Sequence, residues 1–470
     1  MKPILLEEIK RALHAELKTQ LSGQLVRSIV IDSRQCPAGS LFVALRGENC
    51  DGHDYIDQAV AAGAVAVLID RDVPLSPAVK DAGVTVLKVD DCVIALGELA
   101  KFYRSKFVSG THVIAVTGSN GKTTVREMIY HVLSRFQKGI RSEKNYNNQI
   151  GLPLTIFNIQ SDDQFAVVEL GTNAPGEIAY LSRIAQGDVA VITNIGPAHL
   201  QGFGDIEGVS AEKTAITAGL KDHGMIICNA EHKPTLDKLH AQGRKVITFG
   251  LDDNCDVSAH YIKRLDDGYS FITNDRCPVH IPVLGLHNVK NALAALAVVR
   301  RLGITSMQFA EAIEDFRSVP GRMDFKTFNS ITVIDDTYNA NPASMKAALE
   351  ELTSMAVMGR RVMVCGDMGE MGSQGQEFHR QLGHQIAASN IDLLLAVGPL
   401  ASLTAKAALD AGMGWSKVQR AVNSKRMARL IKPMLLDGDT VLVKGARSMQ
   451  MENIVKSLSR WKGKNTTVTR

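Results

Sequence analysis

The 470-residue chain has length for about three domains, and a composition 45% hydrophobic and 22% charged supports sizeable cores. Fifty-three basic residues against 49 acidic ones leave a net charge of +4, too balanced to argue for nucleic acid, and the most apolar run, residues 60–69, is far too short to span a bilayer. Seven cysteines, none at CxxC spacing, favour a reduced protein over a disulfide framework or a zinc site.

Residues 1–88 read as a small α/β unit. The first ten residues carry acids within their apolar part, which predicts an amphipathic helix rather than a signal peptide. That helix would carry Leu6, Ile9, Leu13 and Leu17. Strands are expected at 28–34, 41–45 and 64–69, with a helix near 54–63. The turns after the first two strands gather Ser33, Arg34, Arg46, Gly47, Asn49 and Asp51. These groups suit a polar, phosphorylated ligand, and they suit ordinary turn chemistry equally well.

Residues 89–320 form a second unit. A helix over 92–107 leads to a buried strand at 113–116 and then to Thr117-Gly-Ser-Asn-Gly-Lys-Thr-Thr124. Val125, Met128, Ile129, Val132, Leu133 and Phe136 follow at helical spacing. The loop therefore joins a strand end to a helix start. Its glycines let backbone N–H groups approach an anion, which the helix N-terminus also favours. Lys122 can reach β/γ phosphates and the Thr123 hydroxyl can ligate Mg²⁺. Only Ser119 and Asn120 separate Gly118 from Gly121, so the loop is shorter than a Walker A motif.

An amide-rich stretch over 142–153 offers Asn145, Asn147 and Asn148, either as substrate contacts or as turn caps. Strands at 165–168 and 188–193 end at Glu169 and lead through Asn194 to His199. Ligands of open parallel sheets sit at the carboxyl ends of strands, where Thr123, Glu169 and His199 would meet. Oxygen and imidazole donors there suit a metal on ATP phosphates. Lys213 falls in a helix over 208–219 and, taken alone, reads as a solvated lysine. Strands at 225–228 and 246–249 continue the sheet, and alternation over 255–284 predicts a small antiparallel patch. Helices at 288–302 and 305–317 end at a hinge, residues 319–322.

Residues 321–470 read as a third α/β unit, with strands at 331–334, 361–365, 393–397 and 440–443. The segment 366–372 has GxxGxxG spacing, which is not a dinucleotide fingerprint. A polar, frayed tail is expected over 461–470.

These residues resemble the Mur ligases of peptidoglycan synthesis, ATP-dependent acid–amino acid ligases of three domains, and the resemblance covers nearly the whole chain. Thr117 to Thr124 looks like the family's shortened phosphate loop. Glu169 and His199 match its metal-binding positions, Leu286-His-Asn-Val-Lys-Asn291 resembles its nucleotide-proximal motif, and Pro320-Gly-Arg322 its linker arginine. Asp336-Thr-Tyr-Asn-Ala-Asn-Pro342 looks like the member that adds D-alanyl-D-alanine. Asp32-Ser-Arg34, with residues 42–47 and 51–53, resembles the family's uridine-diphosphate-binding domain.

The resemblance implies an α/β architecture with a central parallel-sheet P-loop ATPase domain (89–320), a UDP-sugar-peptide-binding domain (1–88) and a Rossmann-like C-terminal domain (321–470). It implies Lys122, Glu169, His199 and Lys213 as catalytic. It implies ATP binding by Thr117, Gly118, Ser119, Asn120, Gly121, Lys122, Thr123, Thr124, His287, Asn288, Arg322 and Asp336. The UDP substrate would meet Ser33, Arg34, Gly47, Asn49, Asp51, Asn145, Asn147 and Asn148, and the dipeptide Tyr338, Asn339, Asn341, Lys444 and Arg447. Mg²⁺ would take Thr123, Glu169, His199 and a carbamylated Lys213; the family often has Glu where this chain has Ala215. The implied substrates are ATP, UDP-N-acetylmuramoyl-tripeptide and D-alanyl-D-alanine, joined through an acyl phosphate by a cytoplasmic monomer. The alternatives are another Mur ligase, a ligase of the folylpolyglutamate synthase kind, or, from a different class, an ATP-driven switch.

Overall fold

Short runs of Val, Ile, Leu and Ala bounded by turns build three main sheets, and most of their strands are covered on both faces. The computed structural model describes residues 1–460 except Lys144. The tail expected over 461–470 lies outside the described residues.

In the first sheet Ser28–Val30, Ser40–Val43, Ala64–Ile69 and Thr85–Lys88 pair in parallel, and Glu16–Leu17 adds an antiparallel edge. The leading helix spans only Leu6–Leu13, because His14 turns left-handed (φ 50°) and closes it. Leu17 therefore lies in the edge strand and not on the helix. The strand expected to run to Arg34 stops at Val30. Asp32 accepts the Arg34 N–H at 3.0 Å and starts a 3₁₀ turn instead.

The second sheet has nine strands. In spatial order they are Gly139–Arg141, Phe165–Glu169, His112–Thr117, Val189–Ile192, Met225–Asn229, Val246–Gly250, Val257–Arg264, Tyr269–Thr273 and Pro278–Ile281. All neighbours run parallel as far as Val257–Arg264, and the last two strands are antiparallel. The antiparallel patch thus extends the main sheet and does not stand apart from it. The amide-rich stretch ends in an unforeseen helix, Gly151–Phe157. Asn148 Oδ1 accepts the Gly151 N–H at 2.8 Å, and Pro153 sits in the first turn, where it lacks no needed donor. The helix after the phosphate loop is Lys122–Leu133, and Phe136 lies beyond its end, exposed.

The predicted helix Cys92–Phe107 is present, capped by Asp91, which accepts the Val93 and Ile94 N–H groups at 2.7 and 2.9 Å. It packs against the leading helix on one side and against Gly151–Phe157 and Glu177–Ala185 on the other. Ile4, Leu6 and Ile9 thereby share one apolar core with Leu96, Tyr103, Ile156 and Ile178. Arg104 is fully buried within this helix. Its guanidinium donates to the carbonyls of Ala185 (3.3 Å), Val108 and Thr111 (3.0 Å), and pairs with Asp188 at 3.2 Å. Arg104→Ala strands those acceptors, so we expect a loss of about 3 kcal/mol or more. A lower denaturant midpoint, with unchanged activity per folded molecule, is the expected measurement.

The third sheet runs Asp324–Phe328, Ile331–Asp336, Thr440–Lys444, Arg361–Gly366, Leu393–Val397, Val418–Ala421. Only the first pair is antiparallel. Its two edge strands were not foreseen; they are short and half exposed, with no sustained apolar run to announce them. Two apolar cores cover its faces. Among the described residues no helix is long and apolar enough to cross a membrane.

Candidate active site

The strand His112–Thr117 lies between Phe165–Glu169 and Val189–Ile192, at the point where the chain changes direction across the sheet. The crevice beyond its carboxyl end is where such sheets hold ligands. Two glycines are obligatory in the loop there. Gly118 has φ 145° and a Cβ on it would lie 1.9 Å from Thr193 Oγ1; Gly121 has φ 81° and its Cβ would lie 2.5 Å from Asn291 Oδ1. The loop is clamped from the next strand. Ser119 N–H donates to the Asn194 carbonyl at 3.0 Å, Asn120 N–H to Asn194 Oδ1 at 2.8 Å, and Ser119 Oγ to the Gly196 carbonyl at 2.9 Å. Lys122 Nζ folds back onto the Gly118 carbonyl at 2.7 Å. Burial pushes its ammonium below the ordinary lysine value, against the pull of Glu169.

Glu169 is the hub behind the loop. Its carboxylate, 3% exposed, accepts from Thr123 Oγ1 at 3.0 Å, Asn147 Nδ2 at 2.9 Å and Arg126 Nη1 at 3.3 Å. Arg322 reaches the same hydroxyl, its Nη2 donating to Thr123 Oγ1 at 3.0 Å, while its guanidinium lies 4.1 Å from the centroid of the Tyr338 ring. Lys213 is 1% exposed, and its Nζ has no partner among the described residues. Burial, and then the neighbouring Lys122, pushes its ammonium well below the ordinary range. His199 adopts a left-handed conformation (φ 54°) and pairs through Nδ1 with Glu370 of the third sheet's unit. That hydrogen bond holds the Glu370 carboxyl below its usual value.

The opposite wall comes from the carboxyl ends of Ile331–Asp336 and Thr440–Lys444, where Asp336 and Lys444 are register partners. Lys444 Nζ donates to Asp336 Oδ2 at 2.6 Å and to the Asn339 carbonyl at 2.9 Å. Asn341 caps the helix Pro342–Ser354 through the Ser344 N–H at 2.9 Å, and its amide donates to Asn120 Oδ1 at 2.8 Å. The phosphate loop and the third unit are therefore in direct contact.

A cavity of about 770 Å³ lies between these walls. From the predicted residues it is lined by Ser119, Asn120, Gly121, Lys122 and Thr124 of the loop, by Asn145, Asn147 and Asn148, and by Glu169 and His199. His287, Asn288, Arg322, Asp336, Tyr338, Asn339, Asn341 and Lys444 complete that set. Thr117, Gly118, Thr123 and Lys213 stand outside the lining, and the Thr117 hydroxyl is spent on the Leu170 carbonyl at 2.9 Å. Arg447 is exposed and pairs with Glu452 at 3.3 Å, away from the cavity.

The N-terminal cluster also lies outside this cavity. Ser33 Oγ donates to Gln58 at 2.8 Å, Arg34 pairs with Asp32 at 2.8 Å, and the Gly47 N–H closes a turn on the Cys50 carbonyl at 2.9 Å. Asp51 caps His53 and pairs with Arg71 at 2.8 Å; Asn49 is exposed. Sequence reasoning missed Arg126, Asn194 and Glu370. A lone arginine within the apolar face Val125, Met128, Ile129 was the available signal for the first.

Among the described residues no three His, Cys, Asp or Glu side chains gather as a ready-made metal cluster. The buried Thr123–Glu169 oxygen pair suits Mg²⁺, which usually takes one or two protein carboxylates and completes its shell with phosphate and water.

Comparison with known proteins bears on this arrangement. The Mur ligase family catalytic domain matches residues 25–104, the Mur ligase middle domain 116–299, and the Mur ligase glutamate ligase domain 321–447. The chain is 37% identical over 441 residues to the UDP-N-acetylmuramoyl-tripeptide--D-alanyl-D-alanine ligase of Bacillus subtilis, covering 93% of this chain and 94% of that one. It is 36% identical to the enzyme of the same name from Escherichia coli, covering 94% and 97%. A crystal structure of MurF from Acinetobacter baumannii superposes with a TM-score of 0.88 at 32% identity, covering 98% and 99%. The Thermotoga maritima MurF ligase in complex with ADP superposes with a TM-score of 0.81 at 28% identity, covering 92% and 97%. Three family domains in order, on a three-sheet fold with a shortened phosphate loop at its centre, place this chain in the Mur ligase family.

Proposed function

We propose that this chain is an ATP-dependent ligase that joins D-alanyl-D-alanine to UDP-N-acetylmuramoyl-tripeptide. The observation that carries the reading is the contact of the phosphate loop with the 336–341 segment through Asn120 and Asn341. It sets an anion-binding helix start against the segment whose sequence resembles the D-alanyl-D-alanine-adding ligases. We divide the chain accordingly: residues 1–88 for the UDP-sugar peptide, 89–320 for ATP, and 321–470 for the dipeptide.

A carboxylate is a poor acyl donor. In the proposed reaction the tripeptide carboxylate oxygen attacks the γ-phosphorus of ATP, the bond to the β-phosphate oxygen breaks, and ADP leaves an acyl phosphate. The dipeptide amine then attacks the acyl carbon and loses a proton, and the carbon–oxygen bond breaks to release phosphate. Lys122 and the N–H groups of residues 121–124, at the start of the helix Lys122–Leu133, would hold the transferring phosphoryl oxygens. Thr123 and Glu169 would hold Mg²⁺, with His199 and Lys213 as further candidates, and the ion would supply charge neutralisation on the phosphates.

Burial without a partner among the described residues disfavours the charged ammonium of Lys213 and favours the amine form that takes up carbon dioxide, which supports its carbamylation. Closure about residues 318–322 would keep water from the acyl phosphate. The use of ATP and a UDP-linked precursor supports work in the cytoplasm, and the proposed working unit is a single chain.

Phosphate release from ATP and Mg²⁺ tests the reading, with the two acceptors supplied separately and together. Release with both, and a pentapeptide product, is expected. Release indifferent to both would discard the reading in favour of a switch or simple ATPase.

A further inference from the structure

Glu351 is a buried carboxylate that the chemistry does not use. It is 3% exposed and lies near the C-terminal end of the helix Pro342–Ser354. Its partners come from the central sheet: Arg264 Nε donates to Oε1 at 2.9 Å, and the Tyr269 hydroxyl donates to Oε2 at 2.6 Å. Arg264 and Tyr269 are directly paired across the antiparallel hairpin of Val257–Arg264 and Tyr269–Thr273. Their side chains therefore leave one face of the hairpin and grip both oxygens of a single carboxylate. Tyr269 is itself buried, and Arg264 is half-buried.

The other end of the same helix is also fastened. Asn341 caps it and bonds Asn120 of the phosphate loop. Ten residues separate Asn341 from Glu351, about 15 Å along a helix. The central helix Leu286–Arg301 touches it as well. The element that begins at the phosphate loop is thus tied to the central unit at both ends, and neither tie involves a ligand. A buried carboxylate is costly unless paired, so the distal tie sets the seating of the helix as a whole.

We propose that Glu351 is a positioning residue for the ligation: the Arg264–Tyr269 jaw seats the far end of its helix and so sets Tyr338, Asn339 and Asn341 against the phosphate loop before any ligand arrives. Preseating raises apparent affinity, because a larger fraction of molecules is ready to bind. The kinetic part of the test rests on the ligase reading, whereas the scattering part does not.

The test uses the full chain with Glu351→Gln and Tyr269→Phe. The second removes one hydroxyl and keeps the ring, so it folds even where the first, which leaves Arg264 without its anion, does not. Small-angle scattering of ligand-free protein is expected to give a larger radius of gyration for the variants than for the wild type. Saturating nucleotide and acceptors should bring the variants to the same value as the liganded wild type. KM for D-alanyl-D-alanine should rise about threefold to tenfold while kcat stays within about twofold. Ligand-free scattering of the folded variants identical to wild type, or a fall in kcat at constant KM, would overturn the proposal. A wild type without ligase turnover would sink the ligase reading alone, and the scattering comparison would still decide the jaw.

Discussion

Lys122→Ala is expected to lower kcat by at least 10³-fold, about 4 kcal/mol of transition-state stabilisation, and to leave the fold intact. The Lys122 ammonium makes a hydrogen bond within its own loop, to the Gly118 carbonyl at 2.7 Å, worth about 1 kcal/mol to stability. Its removal deletes the cation at the start of the helix Lys122–Leu133, where phosphoryl oxygens gain charge as they transfer. Where closure excludes water, such a charge would act far more strongly than at a surface. Lys122→Arg should not restore the rate, because a planar fork cannot take the place of a compact ammonium against that carbonyl. Single-turnover phosphate release at saturating ATP checks this, alongside a nucleotide-binding titration and a melting curve. A variant within tenfold of wild type would remove Lys122 from the phosphoryl-transfer step.

Glu169→Gln is expected to be comparably severe in rate and also to cost stability. The carboxylate accepts three donors at once, from Thr123, Asn147 and Arg126. A carboxamide keeps the shape but turns an NH₂ group toward some of them. Arg126 keeps Glu127 as a partner at 2.6 Å, which limits the stability loss to about 1–3 kcal/mol. Neutralising Glu169 also weakens the proposed Mg²⁺ site. The half-saturating Mg²⁺ concentration should therefore rise at least tenfold, in a titration of residual activity at fixed ATP. Loss of stability with unchanged Mg²⁺ dependence would make Glu169 a structural hub only.

The phosphate loop is legible in the sequence because its information is local. A buried strand, two glycines, a lysine and a helical apolar stripe lie within 25 residues, and the structure assembles them in that order. Glu169 and His199 are legible for a related reason: strand ends in a parallel sheet converge. Contacts across large sequence separations are not legible. Nothing in the residues around Arg264, Tyr269 or Glu351 announces that they meet, nor that His199 would turn to Glu370. The N-terminal cluster shows the opposite limit. Ser33, Arg34 and Asp51 are composed as a ligand site would be, and the same side chains also satisfy turns and neighbours within the chain. Residue type alone cannot separate those uses, because a side chain that caps a turn and one that binds phosphate need the same atoms.

The helix Cys92–Phe107 gives the molecule fewer moving parts than it has sheets. Because Ile4, Leu6 and Ile9 share a core with Tyr103, Ile156 and Ile178, the first and second sheets are welded through that helix. The third sheet has cores of its own and meets the rest through polar clasps. The proposed closure about residues 318–322 would therefore join two pieces and not three. In it the phosphate loop and the N-terminal unit would act as one piece, because they share that core, and the third unit as the other.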